Sequence, residues 1–139
     1  GYNINVPLPA GASDDLFMQV YDEIIPLLKK EYRPDVVAIS AGFDGHYSDR
    51  LTELNLSLNS FYELGALIGK NFDNCFAVLE GGYNLEYLPK CVNSFLDGIN
   101  KMAMRHSDRK TVSPAGVMQE GQQNYAMLKR LLKDYWGFK

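Results

Sequence analysis

The sequence predicts an α/β chain built on a parallel sheet, and three observations predict it. Two short apolar runs, Val36–Ser40 (VVAIS) and Phe76–Glu80 (FAVLE), are bounded by breakers, as strands covered on both faces usually are. Apolar residues at helical spacing precede, separate and follow the two runs. Each run ends in a polar, glycine-containing turn, GFDGH after the first and GGYN after the second. Parallel strands joined by right-handed crossovers carry both turns to one edge of the sheet. Ligands in such sheets sit beyond the carboxyl ends of the strands. The stretch Val36–Asn84 is therefore where chemistry is expected, with Asp44 and Tyr83 in one cleft.

The bulk properties agree with one globular unit. The 139 residues are 46% hydrophobic and 22% charged, enough apolar material for a core. Fourteen basic residues stand against 17 acidic ones without a basic block, so sequence-independent nucleic-acid binding is not expected. No apolar run approaches the ~18 residues of a membrane span. Gly1–Pro9 has neither the basic flank nor the cleavage site of a signal peptide, and without an initiator methionine the opening reads like the middle of a protein. Cys75 and Cys91 form no C-x-x-C pair and are expected to be reduced thiols, which suits a cytoplasmic location.

In chain order, Tyr2–Leu8 alternates weakly (Ile4, Val6, Leu8) and is expected as a short strand running out at Pro7 and Pro9. Ser13 is a candidate N-cap, with Asp14 and Asp15 complementing the positive end of the helix that follows. That helix runs from Leu16 to Tyr32, with a kink expected at Pro26 and a stop at Arg33-Pro34-Asp35. After the first strand, a second helix is expected from Ser57 or Asn59, burying Phe61, Leu64, Ile68 and Phe72. After the second strand, a third begins at Asn84 or Glu86, with Leu85, Leu88, Val92, Leu96 and Ile99 inward. The polar segment 105–120, with Pro114 and Gly116, is expected as a surface linker between a 1–104 core and a terminal helix in 121–139. In that last helix Tyr125, Leu128, Leu132 and Tyr135 are the expected buried face. The order is β-α-β-α-β-α-α. Three strands are few for a parallel sheet, which usually has about 4–6, so strands are missing or come from another chain.

The two turns are open to more than one chemistry. A carboxylate at the end of a buried strand needs a cap, a cation or a metal; Asp44 could serve a metal, but from the residues alone the capping of local backbone amides, common for turn aspartates, is favoured. Asp49 on the same loop is expected to fix the loop's shape. Gly81 and Gly82 permit close backbone approach, and the Tyr83 phenol can donate to a developing oxyanion; a tight strand-to-helix turn with an ordinary tyrosine explains the same residues. A phosphate-binding βα turn is a weaker alternative, since neither G-x-G-x-x-G nor a P-loop is present.

Three segments carry a family resemblance: NINVPLP, RPDVVAISAGFDGHYSDRL with LNLS after it, and VLEGGYNLE. They resemble the C-terminal part of the histone deacetylase superfamily, nearest to the class II-like and microbial branch with acetoin-utilisation proteins and acetylpolyamine amidohydrolases. The resemblance covers Tyr2 to about Asn100. It implies part of a three-layer, arginase-like α/β fold and amide hydrolysis of acetyl-lysine or a related acylated amine by zinc-activated water. Asp44 then matches a zinc ligand, and Tyr83 the tyrosine that stabilises the tetrahedral intermediate. Gly81, Gly82 and the neighbouring Phe43 match substrate-binding positions, and Leu51 the rim of the acyl tunnel, where polyamine-selective relatives carry an acidic residue. Tyr2 matches a position whose backbone carbonyl holds a structural K+ or Na+. His46 falls at a variable position and is not assigned as a ligand. The family's D-x-H ligands and His-His base pair have no counterpart here, so the expectation is an incomplete site. Such a chain is inactive alone and pairs through its sheet edge with the rest of the domain or with another copy.

Overall fold

A computed structural model describes residues 2–138. The elements are α1 (Asp14–Glu31), β1 (Val37–Ala41), α2 (Leu58–Asn71), β2 (Cys75–Leu79), α3 (Leu88–Ile99) and α4 (Ala115–Leu132). β1 and β2 pair in parallel, with Val37 opposite Cys75 and Ala41 opposite Leu79. Both strands thus point their carboxyl ends the same way, as the crossover rule requires.

The expected third strand is absent among the described residues. Tyr2–Leu8 is irregular, and among the described residues its one internal backbone hydrogen bond is local, Leu8 N–H to Val6 O at 3.1 Å. Pro7 and Pro9 have no N–H to give a ladder. The alternation is real but serves packing: Ile4, Val6 and Leu8 lie against the α1–α4 cluster.

α1 runs unbroken through Pro26, which sits on its exposed side. Its N-terminus is held differently from expectation. The Ser13 hydroxyl turns back to Gly11 O, while Asp15 accepts the Leu16 N–H at 2.8 Å. Asp14 does not sit free at the positive helix end. It is buried, and it accepts from Ser57 N–H at 2.7 Å, Ser57 Oγ at 2.6 Å, Thr111 N–H at 3.0 Å and the Ser60 hydroxyl. Burial alone would raise the Asp14 carboxyl's pKa; these donors outweigh it and hold the value below the ordinary 3.8. α1 ends where Arg33 adopts φ +52°, ahead of Pro34.

α2 and α3 approach until backbone touches backbone. A Cβ on Gly65 would lie 2.3 Å from Phe95 O, and one on Gly98 2.1 Å from Tyr62 O. This contact fixes the rotation of α3 and corrects part of its expected inward face: Leu88, Val92 and Ile99 do pack against the core, but Leu85 and Leu96 do not. Cys91, Phe95 and Gly98 face the core, whereas Leu85 is 83% and Leu96 41% exposed. α3 begins only at Leu88; Asn84 and the residues after it form a turn, with Asn84 Oδ1 accepting from Glu86 and Tyr87 N–H.

α4 starts at Ala115, inside the segment expected as linker, because Pro114 stands at the helix N-cap, where its missing N–H costs no helical bond. The connecting residues are not merely surface either: Ser113 is buried, and its N–H and hydroxyl both reach Asp15. Tyr125, Leu128 and Leu132 pack on Val20, Ile24 and Leu27 of α1. Tyr135 is exposed, and Trp136 takes its place in that cluster. Cys75 and Cys91 are free thiols, with burial pushing Cys91 up to about 12.

The helices leave the other face of the sheet bare. Ala38, Ser40, Phe76 and Val78 alternate onto that face, and Phe76 and Val78 are each more than half exposed. The strands were expected to be covered on both faces; within this chain β1 is covered on one, and in β2 only Cys75 is not exposed.

Candidate active-site wall

The turns after β1 and β2 meet at the carboxyl edge of the sheet. Phe43 N–H donates to Gly81 O at 2.9 Å, and Glu80 N–H to Ala41 O at 3.0 Å, extending the strand pairing into the turns. Beside this seam lies the half-buried Asp44 carboxylate. A Cβ on Gly81 would come within 2.6 Å of Asp44 Oδ1, and one on Gly42 within 2.9 Å. Glycine at both positions leaves the room this carboxylate occupies. Among the described residues no hydrogen bond reaches it, so Asp44 does not cap its own turn.

Capping belongs to Asp49. It is buried and accepts from Tyr83 N–H at 2.6 Å and Asn84 N–H at 3.1 Å through Oδ2, and from Leu51 N–H at 3.1 Å through Oδ1. Desolvation would raise the Asp49 carboxyl's pKa; these backbone donors overcome that and hold it below its usual range. The expectation that Asp49 shapes its loop is met, and it also fastens that loop to the Tyr83 turn. Gly82 takes φ +132°, and a Cβ there would strike Leu88 Cδ1 at 2.6 Å, so this position requires glycine.

Tyr83 and Leu51 are exposed and, with Ser48, Asp49, Arg50 and Asn84, line one open cleft of about 390 Å³. Asp44 lies one strand-end away, against Gly81. Phe43 is a correction: its ring is 5% exposed and packs on Phe61 and Phe95 at centroid distances of 5.4 and 5.9 Å, so it belongs to the core and not to a substrate surface. A residue following a strand alternates faces, and Phe43 takes the face opposite Asp44. Tyr2 is remote from the cleft, its ring edge-on to Tyr32 at 6.3 Å. The phosphate-loop alternative fails, because α3 begins six positions beyond Gly82 and not directly after the glycines.

Sequence reasoning missed Ser48, Asn84, His46 and Asp108 as a connected group. His46 is 1% exposed, between the rings of Tyr47 and Tyr87. Its Nε2 is 3.0 Å from Asp108 Oδ2 and its Nδ1 2.7 Å from Ser48 Oγ. It is not among the residues that line the cleft. Among the described residues, no three His, Cys, Asp or Glu side chains are grouped to hold a metal ion.

The histone deacetylase domain model matches residues 1–99. The chain belongs to the histone deacetylase domain family. Relatives in this family include a probable deacetylase of Archaeoglobus fulgidus, 43% identical over 91 residues, a match covering 62% of this chain and 25% of the relative. The acetylpolyamine amidohydrolase of Burkholderia pseudomallei is 33% identical over 102 residues, covering 73% of this chain and 30% of the relative. The deacetylase fold is equally plain in solved structures. The histone deacetylase Clr3 superposes with a TM-score of 0.80 at 20% identity, over 95% of this chain and 22% of that one. An acetylpolyamine aminohydrolase structure from Burkholderia pseudomallei gives 0.65 at 34% identity, over 72% of this chain and 29% of that one. This deacetylase-family chain therefore spans about a quarter of the length of the relatives it matches.

Proposed function

We propose that this chain supplies one wall of the active site of a zinc-dependent amidohydrolase that removes an acyl group from an amine. The observation that carries the proposal is the Asp44 carboxylate, half-buried, without a hydrogen bond among the described residues, and cradled by Gly42 and Gly81. A carboxylate so placed fits one ligand of a zinc ion, whose catalytic sites usually use three protein ligands and one open position. The remaining ligands and the general base come from outside the described residues. When bound, zinc supplies Lewis acidity, lowering the pKa of water and polarising the acyl carbonyl.

The chain's own residues do the rest of the work on this wall. The Tyr83 hydroxyl donates a hydrogen bond to the carbonyl oxygen as negative charge develops on it. Asp49 fixes its backbone N–H, so the turn that carries this donor is formed before substrate arrives. Gly81 and Gly82 let the acyl chain pass close to the backbone, and Leu51 gives the rim an apolar edge. The substrate is acetyl-lysine or a smaller acylated amine; Leu51, in place of an acidic residue, weighs against a polyamine. Tyr2 offers its backbone carbonyl to a structural monovalent cation; among the described residues that carbonyl accepts no hydrogen bond.

The test uses the protein that carries the complete domain. Asp44→Ala is expected to abolish zinc occupancy by elemental analysis. Tyr83→Phe is expected to keep zinc and lose about 100-fold in kcat. Unchanged activity in both variants overturns the reading.

A second reading concerns the chain by itself: a structural half, inactive alone, that joins the rest of the domain or another copy. The bare sheet face with Phe76 and Val78 supports it, together with the unpaired outer edges of a two-stranded sheet. Light scattering decides it, since a soluble monomer at high concentration counts against it.

A further inference from the structure

We infer that His46 and Asp108 are positioning residues for Tyr83, acting through Ser48 and Asn84. The inference rests on the oxyanion role proposed for Tyr83. The starting observation is a chain of hydrogen bonds whose direction can be assigned throughout. Ser48 N–H, 3.2 Å from His46 Nδ1, can only donate, so Nδ1 is the acceptor and Nε2 carries the ring proton. Nε2–H then donates to Asp108 Oδ2 at 3.0 Å. The Ser48 hydroxyl gives its own proton to Nδ1 at 2.7 Å and accepts from Asn84 Nδ2 at 3.1 Å. Asn84 also donates to Ser48 O at 2.9 Å. Donors and acceptors alternate from Asp108 to the residue that follows Tyr83.

Both ends of this chain are placed to matter. Asp108 is anchored on the N-terminus of α2, where its Oδ1 accepts from Leu58 N–H at 3.0 Å. Asn84 is the hinge of the Tyr83 turn, capping Glu86 and Tyr87 with its own Oδ1. The turn follows a glycine at φ +132° and carries an exposed tyrosine, so nothing in its own backbone fixes where the phenol points. The two supports divide the work. Asp49 holds the backbone of the turn, and the Asp108–His46–Ser48 chain holds the side chain of its second residue to a rigid helix. The stack of His46 on Tyr87, 4.6 Å between centroids, adds a third point of attachment on the far side of the turn.

Packing alone explains a buried, satisfied histidine, and the experiment separates packing from positioning. In the protein carrying the complete domain, kcat and KM are measured on an acetyl-lysine peptide for His46→Ala, Tyr83→Phe and the double variant. The expected result is about a tenfold loss of kcat for His46→Ala, with KM within about twofold and zinc content unchanged. In the Tyr83→Phe background the same change should cost less than about twofold, because the group it positions is gone. Amide exchange at Tyr83 and Asn84 should also be faster in His46→Ala. Equal losses in both backgrounds, or none in either, overturn the inference while leaving the role of Tyr83 standing. A Tyr83→Phe variant with undiminished kcat overturns that role and this inference together. Should His46→Ala fail to fold, Ser48→Ala breaks the same chain at a half-buried side chain and is read in the same way.

Discussion

The Asp49 carboxylate accepts the Tyr83 backbone N–H at 2.6 Å, joining the loop after β1 to the turn after β2. Asp49 makes no claim on a ligand, yet three backbone donors depend on it. Asp49→Ala should leave those donors unsatisfied and cost about 2–3 kcal/mol, since buried groups without partners are expensive. Chemical denaturation measures the loss. Amide exchange should show it localised at Leu51, Tyr83 and Asn84.

The room around Asp44 gives a second prediction. Gly81→Ala puts a methyl group within 2.6 Å of Asp44 Oδ1 and must displace the carboxylate. Zinc affinity should fall at least about tenfold, measured by competition with a chelating dye. Gly116→Ala meets nothing within 4 Å in the first turn of α4 and should instead stabilise by about 0.5–1 kcal/mol.

The helix crossing gives a third. Gly98→Ala drives a Cβ to 2.1 Å from Tyr62 O, where only backbone can yield. Prising α2 from α3 should cost about 3 kcal/mol. A thermal-unfolding midpoint unchanged from that of the parent chain would contradict this packing.

Acid gives the fourth. Asp14 is held below its ordinary value of 3.8, so it binds fewer protons folded than unfolded. Its contribution is complete above about pH 5 and disappears as pH falls through the depressed folded value. Asp14→Asn should be less stable at pH 7 and lose less stability between about pH 5 and 3. Urea midpoints across that range measure both.

Much of this was legible in the residues. VVAIS and FAVLE lie between breakers, and both became strands within a residue of their expected limits. That Asp44 and Tyr83 share an edge followed from position, because turns at parallel strand ends meet there; the roles expected of them came from the family resemblance. Periodicity misled where backbone contact outranked side-chain pattern. Leu85 and Leu96 fit a helical stripe, but Leu85 lies in the turn ahead of the helix, and Gly98, facing α2, turns Leu96 outward. Pro114 and Gly116 read as breakers until Pro114 proved to stand at a helix start. Phe43 was expected at a substrate-binding position, and alternation placed it in the core. Asp108 gave no signal at all, since a single carboxylate in a polar segment looks like solvent-facing charge until the fold carries it to His46.

The meeting of the two ends of the chain has a kinetic consequence. Ser13 N–H reaches Ser113 Oγ across 100 residues, and Asn124 reaches Pro7 O across 117. Contacts between β1 and β2 and between α2 and α3 close much shorter loops. Loop closure grows costlier with length, and long-range pairing slows folding. The central βαβα unit therefore assembles first, and the docking of α4 onto α1 is the late step. A circular permutant of this 139-residue stretch that joins its two ends through a short linker and opens elsewhere would turn that late step into an early, local one.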